Sequence, residues 1–85
     1  MAQHVCIPAS VSMVYNHKLR RVMPVAVRWA GGVKKITAVD LHHTYRVGRT
    51  LFHVFSVTTQ GAVLILVLNT DSLFWEVEEV AYDAV

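Results

Sequence analysis

The sequence predicts an all-β protein: a small antiparallel meander of about five strands, strongly bent or closed into a barrel. Three observations carry that expectation. Residues 24–29, "PVAVRW", alternate with period two, so Val25, Val27 and Trp29 share one face and Ala26 and Arg28 the other. Turn-forming residues recur between apolar runs, at Gly31-Gly32, Gln60-Gly61 and "NTDS" (69–72). The chain has 85 residues, too few for a two-sheet sandwich of ordinary size, and closing a bent sheet removes its edges.

The elements follow in order. Residues 1–23 read as an N-terminal extension, in which "SVSMVYNH" alternates weakly and can supply one strand, while "HKLRR" (17–21) is polar and exposed. A single β domain then spans 24–85. Pro24 suits the first position of its strand. Gly31-Gly32 can take positive φ at both central positions of a two-residue hairpin. In "VKKITAVDLHH" (33–43) Val39 and Leu41 alternate, but Val33, Ile36 and Val39 are three apart. A β-bulge near Thr37-Ala38 reconciles the two spacings. Residues 44–50 form a connection, and "LFHVFSVTT" (51–59) is strand, dense in Phe, Val and Thr. "AVLILVLN" (62–69) is apolar on both faces, which places it centrally in the sheet or against a partner. In "LFWEVEEVAY" (73–82) Leu73, Trp75 and Val77 alternate with Phe74, Glu76 and Glu78. Leu73, Val77 and Val80 also share a helical face, and strand is the reading adopted.

Composition narrows the class. Apolar residues make up 54% and charged residues 16%, too apolar for disorder and a surplus for so small a core. Part of that surplus is expected against a partner, and a homodimer or higher homo-oligomer is the simplest one. The longest apolar run, "AVLILVL" (62–68), is far short of the roughly 20 residues of a spanning helix, so no membrane is expected. The start has no basic n-region, and Pro8 and Ser10 interrupt its apolar stretch, so it does not read as a signal peptide. Cys6 is the only cysteine. A reducing, cytoplasmic setting is therefore expected. Residues 1–60 hold all eight Lys and Arg and one acid, Asp40; residues 61–85 hold five acids and no base.

The segments "PVAVRWAGG", "HHTYRVGRTLFHVFSV" and "FWEVEEV" together resemble a group of small uncharacterised bacterial β-domains. Those domains open on a proline with an alternating V-x-W strand, turn on glycine and close on a strand carrying tryptophan. The resemblance covers about residues 24–80. It implies a small barrel and no particular activity.

Candidate chemistry is sparse. No nucleophile elbow, glycine-rich phosphate loop or His-x-x-x-His spacing is present, and Cys6 with His4 lies near the terminus. Glu78 and Glu79 are adjacent, so a regular strand would point them to opposite faces. Binding is expected over catalysis, which nothing in the sequence supports, and no cofactor is expected. Asp40 and His42 are two apart and share a face of a regular strand. If 33–43 pairs with 51–59, His53 joins them as a two-His, one-carboxylate set suited to zinc or iron. A one-residue slip of register breaks that set, leaving histidines that simply hydrogen-bond beside a core. The basic residues offer a nucleic-acid face. Arg28, Lys34 and Lys35 cluster about the Gly31-Gly32 hairpin, Arg46 and Arg49 flank Gly48, and Tyr45 can stack on a base. The plain alternative is that a small apolar protein keeps its charges on wet loops. Trp29, Phe52, Phe55, Phe74 and Trp75 read as core, with some meeting another copy. The function expected is a self-associating binding or scaffolding domain; nucleic-acid binding and metal binding are the alternatives.

Overall fold

The computed structural model describes residues 2–29 and 32–82, with side chains from Val5 onward. Six strands run β1 (Ala2–Asn16), β2 (Arg21–Trp29), β3 (Gly32–Val47), β4 (Thr50–Thr59), β5 (Ala62–Asn69) and β6 (Phe74–Tyr82). Each pairs antiparallel with the next, and β1 pairs with β6, so the meander closes into a barrel. The sixth strand comes from the segment read as an extension: residues 1–23 supply β1 and the start of β2. Ser10, Ser12 and other small or polar residues on its outer side hide the β1 signal, while Ile7, Ala9, Val11 and Met13 pack inward against the core.

Alternation sets the interior. Val27 and Trp29 of β2, Ile36 of β3, Phe55 and Val57 of β4, Leu64 and Leu66 of β5, and Val77 and Val80 of β6 form one buried cluster. β5 lies between β4 and β6. Val54 and Val67, a cross-strand pair on its other face, are buried too. That accounts for a run apolar on both faces. Residues 73–82 are strand from Phe74, not helix. Of the five aromatics read as core, Trp29 and Phe55 are buried and Trp75 packs against the cluster, but Phe52 is only half-buried and Phe74 is exposed.

Two turns are closed by the same local chemistry. Asn16 Oδ1 accepts from the N–H groups of Lys18 and Leu19, and Asn69 Oδ1 from those of Asp71 and Ser72. Such side-chain acceptors replace backbone turn bonds. Residues 44–50 are not a long connection. β3 continues to Val47, which pairs with Thr50, leaving a two-residue turn at Gly48-Arg49. Gly48 has φ of +59°, the positive value a tight hairpin needs at its first central position. Gly32 pairs with Trp29 as the first residue of β3, so it is not the central turn residue that the sequence predicts, and Gly31 lies outside the described residues. Among the described residues, no helix is long and apolar enough to cross a membrane.

Candidate functional site

The barrel opens along one seam. β2 and β3 pair only where Ala26–Trp29 meets Gly32–Lys35. Beyond Lys35 the strands separate, β2 staying with β1 and β3 with β4. The opening is a groove of about 690 Å³, walled by Arg21, Met23 and Pro24 on one side and Val39, Asp40 and His42 on the other. Two bulges turn β3 away. The β3–β4 register shifts between Ile36 and Ala38 and again between Val39 and Leu41, leaving Thr37 and Asp40 as the extra residues. The first is the bulge the apolar spacing predicts. Thr58 holds both: its carbonyl accepts from Thr37 Oγ1 at 3.0 Å, and its Oγ1 donates to Asp40 Oδ2 at 2.6 Å.

The second bulge decides the histidine set. His42 lies opposite Phe55, and Thr44 opposite His53, so the two histidines are diagonal neighbours. His42 Nε2 and His53 Nδ1 are 2.8 Å apart, a hydrogen bond in which one ring donates and the other accepts. Asp40 is not with them, because the extra residue breaks the two-residue alternation and its carboxylate goes to Thr58. Among the described residues, no group of three or more His, Cys, Asp or Glu is placed to hold a metal ion. His42 also stacks on Phe55, with centroids 4.2 Å apart and planes 10° apart. Its pKa is lowered, first by burial and then by the neighbouring His53 and His43.

The basic residues fall into two groups. Arg28, Lys34 and Lys35 sit where β2 and β3 pair, at the start of β3. Tyr45, Arg46 and Arg49 sit at the far end, around the Gly48 turn. Eleven residues of strand separate Lys35 from Arg46, about 30–35 Å at strand rise. The six residues therefore form two clusters, one at each end of β3. Tyr45 stacks on Phe52, centroids 4.9 Å apart.

A shallower groove of about 370 Å³ crosses the outside of the sheet, with Leu41, His43 and Tyr45 at one side and Glu78 and Glu79 at the other. The two glutamates line the same groove, contrary to the regular-strand expectation. The β5–β6 register passes from Ile65↔Glu79 to Leu66↔Val77, so Glu78 is a bulge residue. A bulge sets two residues against one and removes the alternation.

The feature least visible in the sequence is the free edge of β3. Continuing the β2–β3 register past Ala26↔Lys35 puts Arg21, the first residue of β2, about level with Asp40. Residues 41–47 therefore run on past the end of β2. Leu51 O accepts from Thr70 N at 3.1 Å, so Leu51 turns its backbone groups toward β5. Arg46 is its opposite number on β3. Opposite residues in an antiparallel ladder exchange both hydrogen bonds or neither. Arg46 thus gives none to β4, and by alternation the N–H and C=O of His42, Thr44 and Arg46 face the open side. The outward side chains beside them are Leu41, Tyr45 and Val47, which are 58%, 40% and 63% exposed. The signal was present in "LHHTYRV", a β-prone run with no acid and no proline, but Gly48 draws a connection reading over its second half. No protein-family model matches this chain, and no curated protein and no solved structure matches it.

Proposed function

We propose that this protein is a self-associating binding module that works through the free edge of β3. The observation that carries the reading is a regular seven-residue run, Leu41–Val47, with one side paired to β4 and the other to nothing among the described residues. Natural sheets protect an edge with bulges, charges or proline. Here bulges at Thr37 and Asp40 blunt the edge beside the groove and stop short of Leu41. Beyond them the edge carries exposed apolar side chains and a single formal charge, Arg46. Such an edge gains main-chain hydrogen bonds and apolar cover by adding a strand. The 54% apolar composition supports the same reading. A reducing, cytoplasmic and bacterial setting fits the single cysteine and the family resemblance, and belongs to this proposal.

Sedimentation equilibrium of untagged, nuclease-treated protein tests it. A reversible oligomer that persists from about 50 to about 500 mM salt is expected, because strand pairing and apolar contact are weakly screened. A monomer at every concentration up to about 1 mM, the weak end of the affinity scale, overturns it. Salt also separates the cationic alternative. An oligonucleotide held by the Arg46 and Arg49 tip would be released steeply as salt rises.

A further inference from the structure

We infer that the strand received at this edge is the same segment of a second copy, running antiparallel, with Thr44 of one chain opposite Thr44 of the other. The inference rests on the self-association reading and names its interface and register.

Three observations converge on that register. First, the run has two hard ends. The bulge at Asp40 ends regular strand on one side and the Gly48-Arg49 turn on the other, leaving Leu41–Val47 with Thr44 at its middle. Antiparallel overlap of such a run with itself is greatest when the two midpoints coincide. Any shift leaves apolar edge uncovered or sets a partner strand against the bulge. Second, the backbone parity fits. Thr44 turns its N–H and C=O outward, so the central pair exchanges two hydrogen bonds across a two-fold axis, and His42 and Arg46 continue the ladder on each side. Third, the side chains match themselves. With Thr44 opposite Thr44, Leu41 of each copy meets Val47 of the other and His43 meets Tyr45. On this outer row, exposed apolar and aromatic groups cover one another, and no two cations or two acids are opposed. Thr opposite Thr is itself a favourable cross-strand pair. An isologous two-fold contact of this kind uses the same edge of both copies and therefore closes at a dimer. Access is open as well. β2 ends level with Asp40, and exposed Val22 lines the groove with Leu41 as a further apolar contact for the incoming hairpin.

Two sets of variants test this. In a Cys6→Ser background, single cysteines are placed at each position from Leu41→Cys to Val47→Cys and oxidised mildly with copper-phenanthroline. Only the residue on the two-fold axis lies beside its own copy, so cross-linking is expected to peak at Thr44→Cys and fall away toward both ends of the run. Then Thr44→Pro is compared with Tyr45→Pro. The first removes an N–H that points to the open side and spares the β3–β4 ladder, so the barrel folds but its dimer weakens by about tenfold to a hundredfold, the loss of a hydrogen-bonded pair. The second removes an N–H used by β4 and destabilises the barrel itself. Fluorescence of Trp29 and Trp75 reports folding in both. A dimer whose cross-linking peaks elsewhere, or that survives Thr44→Pro unchanged, overturns the register while leaving self-association standing. A wild-type protein that is monomeric throughout overturns both.

Discussion

β5 and the second half of β3 contain similar numbers of strand-forming residues and end in opposite situations. "AVLILVLN" has a neighbour on each side, and its inner and outer faces are both largely buried. "LHHTYRV" has one neighbour among the described residues, and every residue from Leu41 to Val47 is exposed. The difference lies in register and length. The barrel is closed where neighbouring strands pair over most of the shorter one. It is open where a sixteen-residue β3 meets a nine-residue β2 that pairs with it over four residues. Burial in this protein follows what lies alongside a strand more closely than it follows the strand's own hydrophobicity.

The sharpest way to break the comparison is to remove the same side chain from both places. Leu64 is fully buried in β5, so Leu64→Ala is expected to cost about 2–5 kcal/mol by leaving a cavity. In an 85-residue domain that is a large fraction of the stability. Leu41→Ala is expected to change the stability of the monomer by less than about 0.5 kcal/mol and instead to weaken self-association. Urea unfolding at low protein concentration measures the first effect, and sedimentation the second. Equal losses of monomer stability would show that Leu41 is packed within its own chain.

A smaller effect separates the turn from the edge it ends. Nothing lies within 4 Å of a methyl group added at Gly48, so steric crowding is not the issue there. Its positive φ is. Gly48→Ala is expected to cost about 1–2 kcal/mol of stability, because an L side chain resists the left-handed region. Since the two-residue turn also fixes where the regular run stops, the same variant should broaden the cross-linking profile along β3. A Gly48→Ala protein as stable as wild type by urea unfolding would show that the loop finds another turn.

The parts of this molecule legible in the sequence are those governed by local pattern. The alternation of Val27 and Trp29, the double-sided apolarity of β5 and the Gln60-Gly61 turn all follow from neighbouring residues, whereas Val25, expected on the face of Val27 and Trp29, is the extra residue where the β1–β2 register shifts. The bulge at Thr37 could be read because Ile36 and Val39 both had to face inward. The bulge at Asp40 could not, because Val39 and Leu41 satisfy plain alternation; the one at Glu78 left the same three-residue spacing, between the buried Val77 and Val80, but that spacing also fits a helical face and does not by itself signal a bulge. Each had a consequence for chemistry. One separated Asp40 from His42 and His53; the other brought Glu78 and Glu79 to one groove. β1 was faint for a related reason: its inward residues are only partly buried, and its exposed ones mix Pro8, Ser10 and Ser12 with the apolar Val14 and Tyr15. The free edge of β3 is not a property of β3 at all, since it depends on where β2 ends.

The smallest expected effect concerns pH, and it sharpens the comparison by asking whether the open side carries strain that the closed side lacks. His42 contacts His53 from β4, follows Asp40 and precedes His43 on β3, and shares the groove with Arg21 of β2. Its folded-state pKa lies below the unfolded value of about 6.5, with burial as the main cause and the two histidines adding to it. The unfolded chain therefore takes up a proton here more readily than the folded one. The stabilisation is fully present above about pH 6.5 and is lost as pH falls from there through the folded-state pKa. The hydrogen bond gives the same sign: the 2.8 Å contact lasts only while one of its two ring nitrogens keeps a lone pair to accept. Because His42 is exposed, a modest fall in Tm is expected between pH 7.5 and pH 5.5, measured in the Thr44→Pro protein to exclude dimer dissociation. In that background His42→Phe keeps a ring against Phe55 and removes the titrating group, so its Tm should fall less over the same interval. An unchanged difference would assign the acid sensitivity to other groups and leave the His42–His53 contact with no part in it.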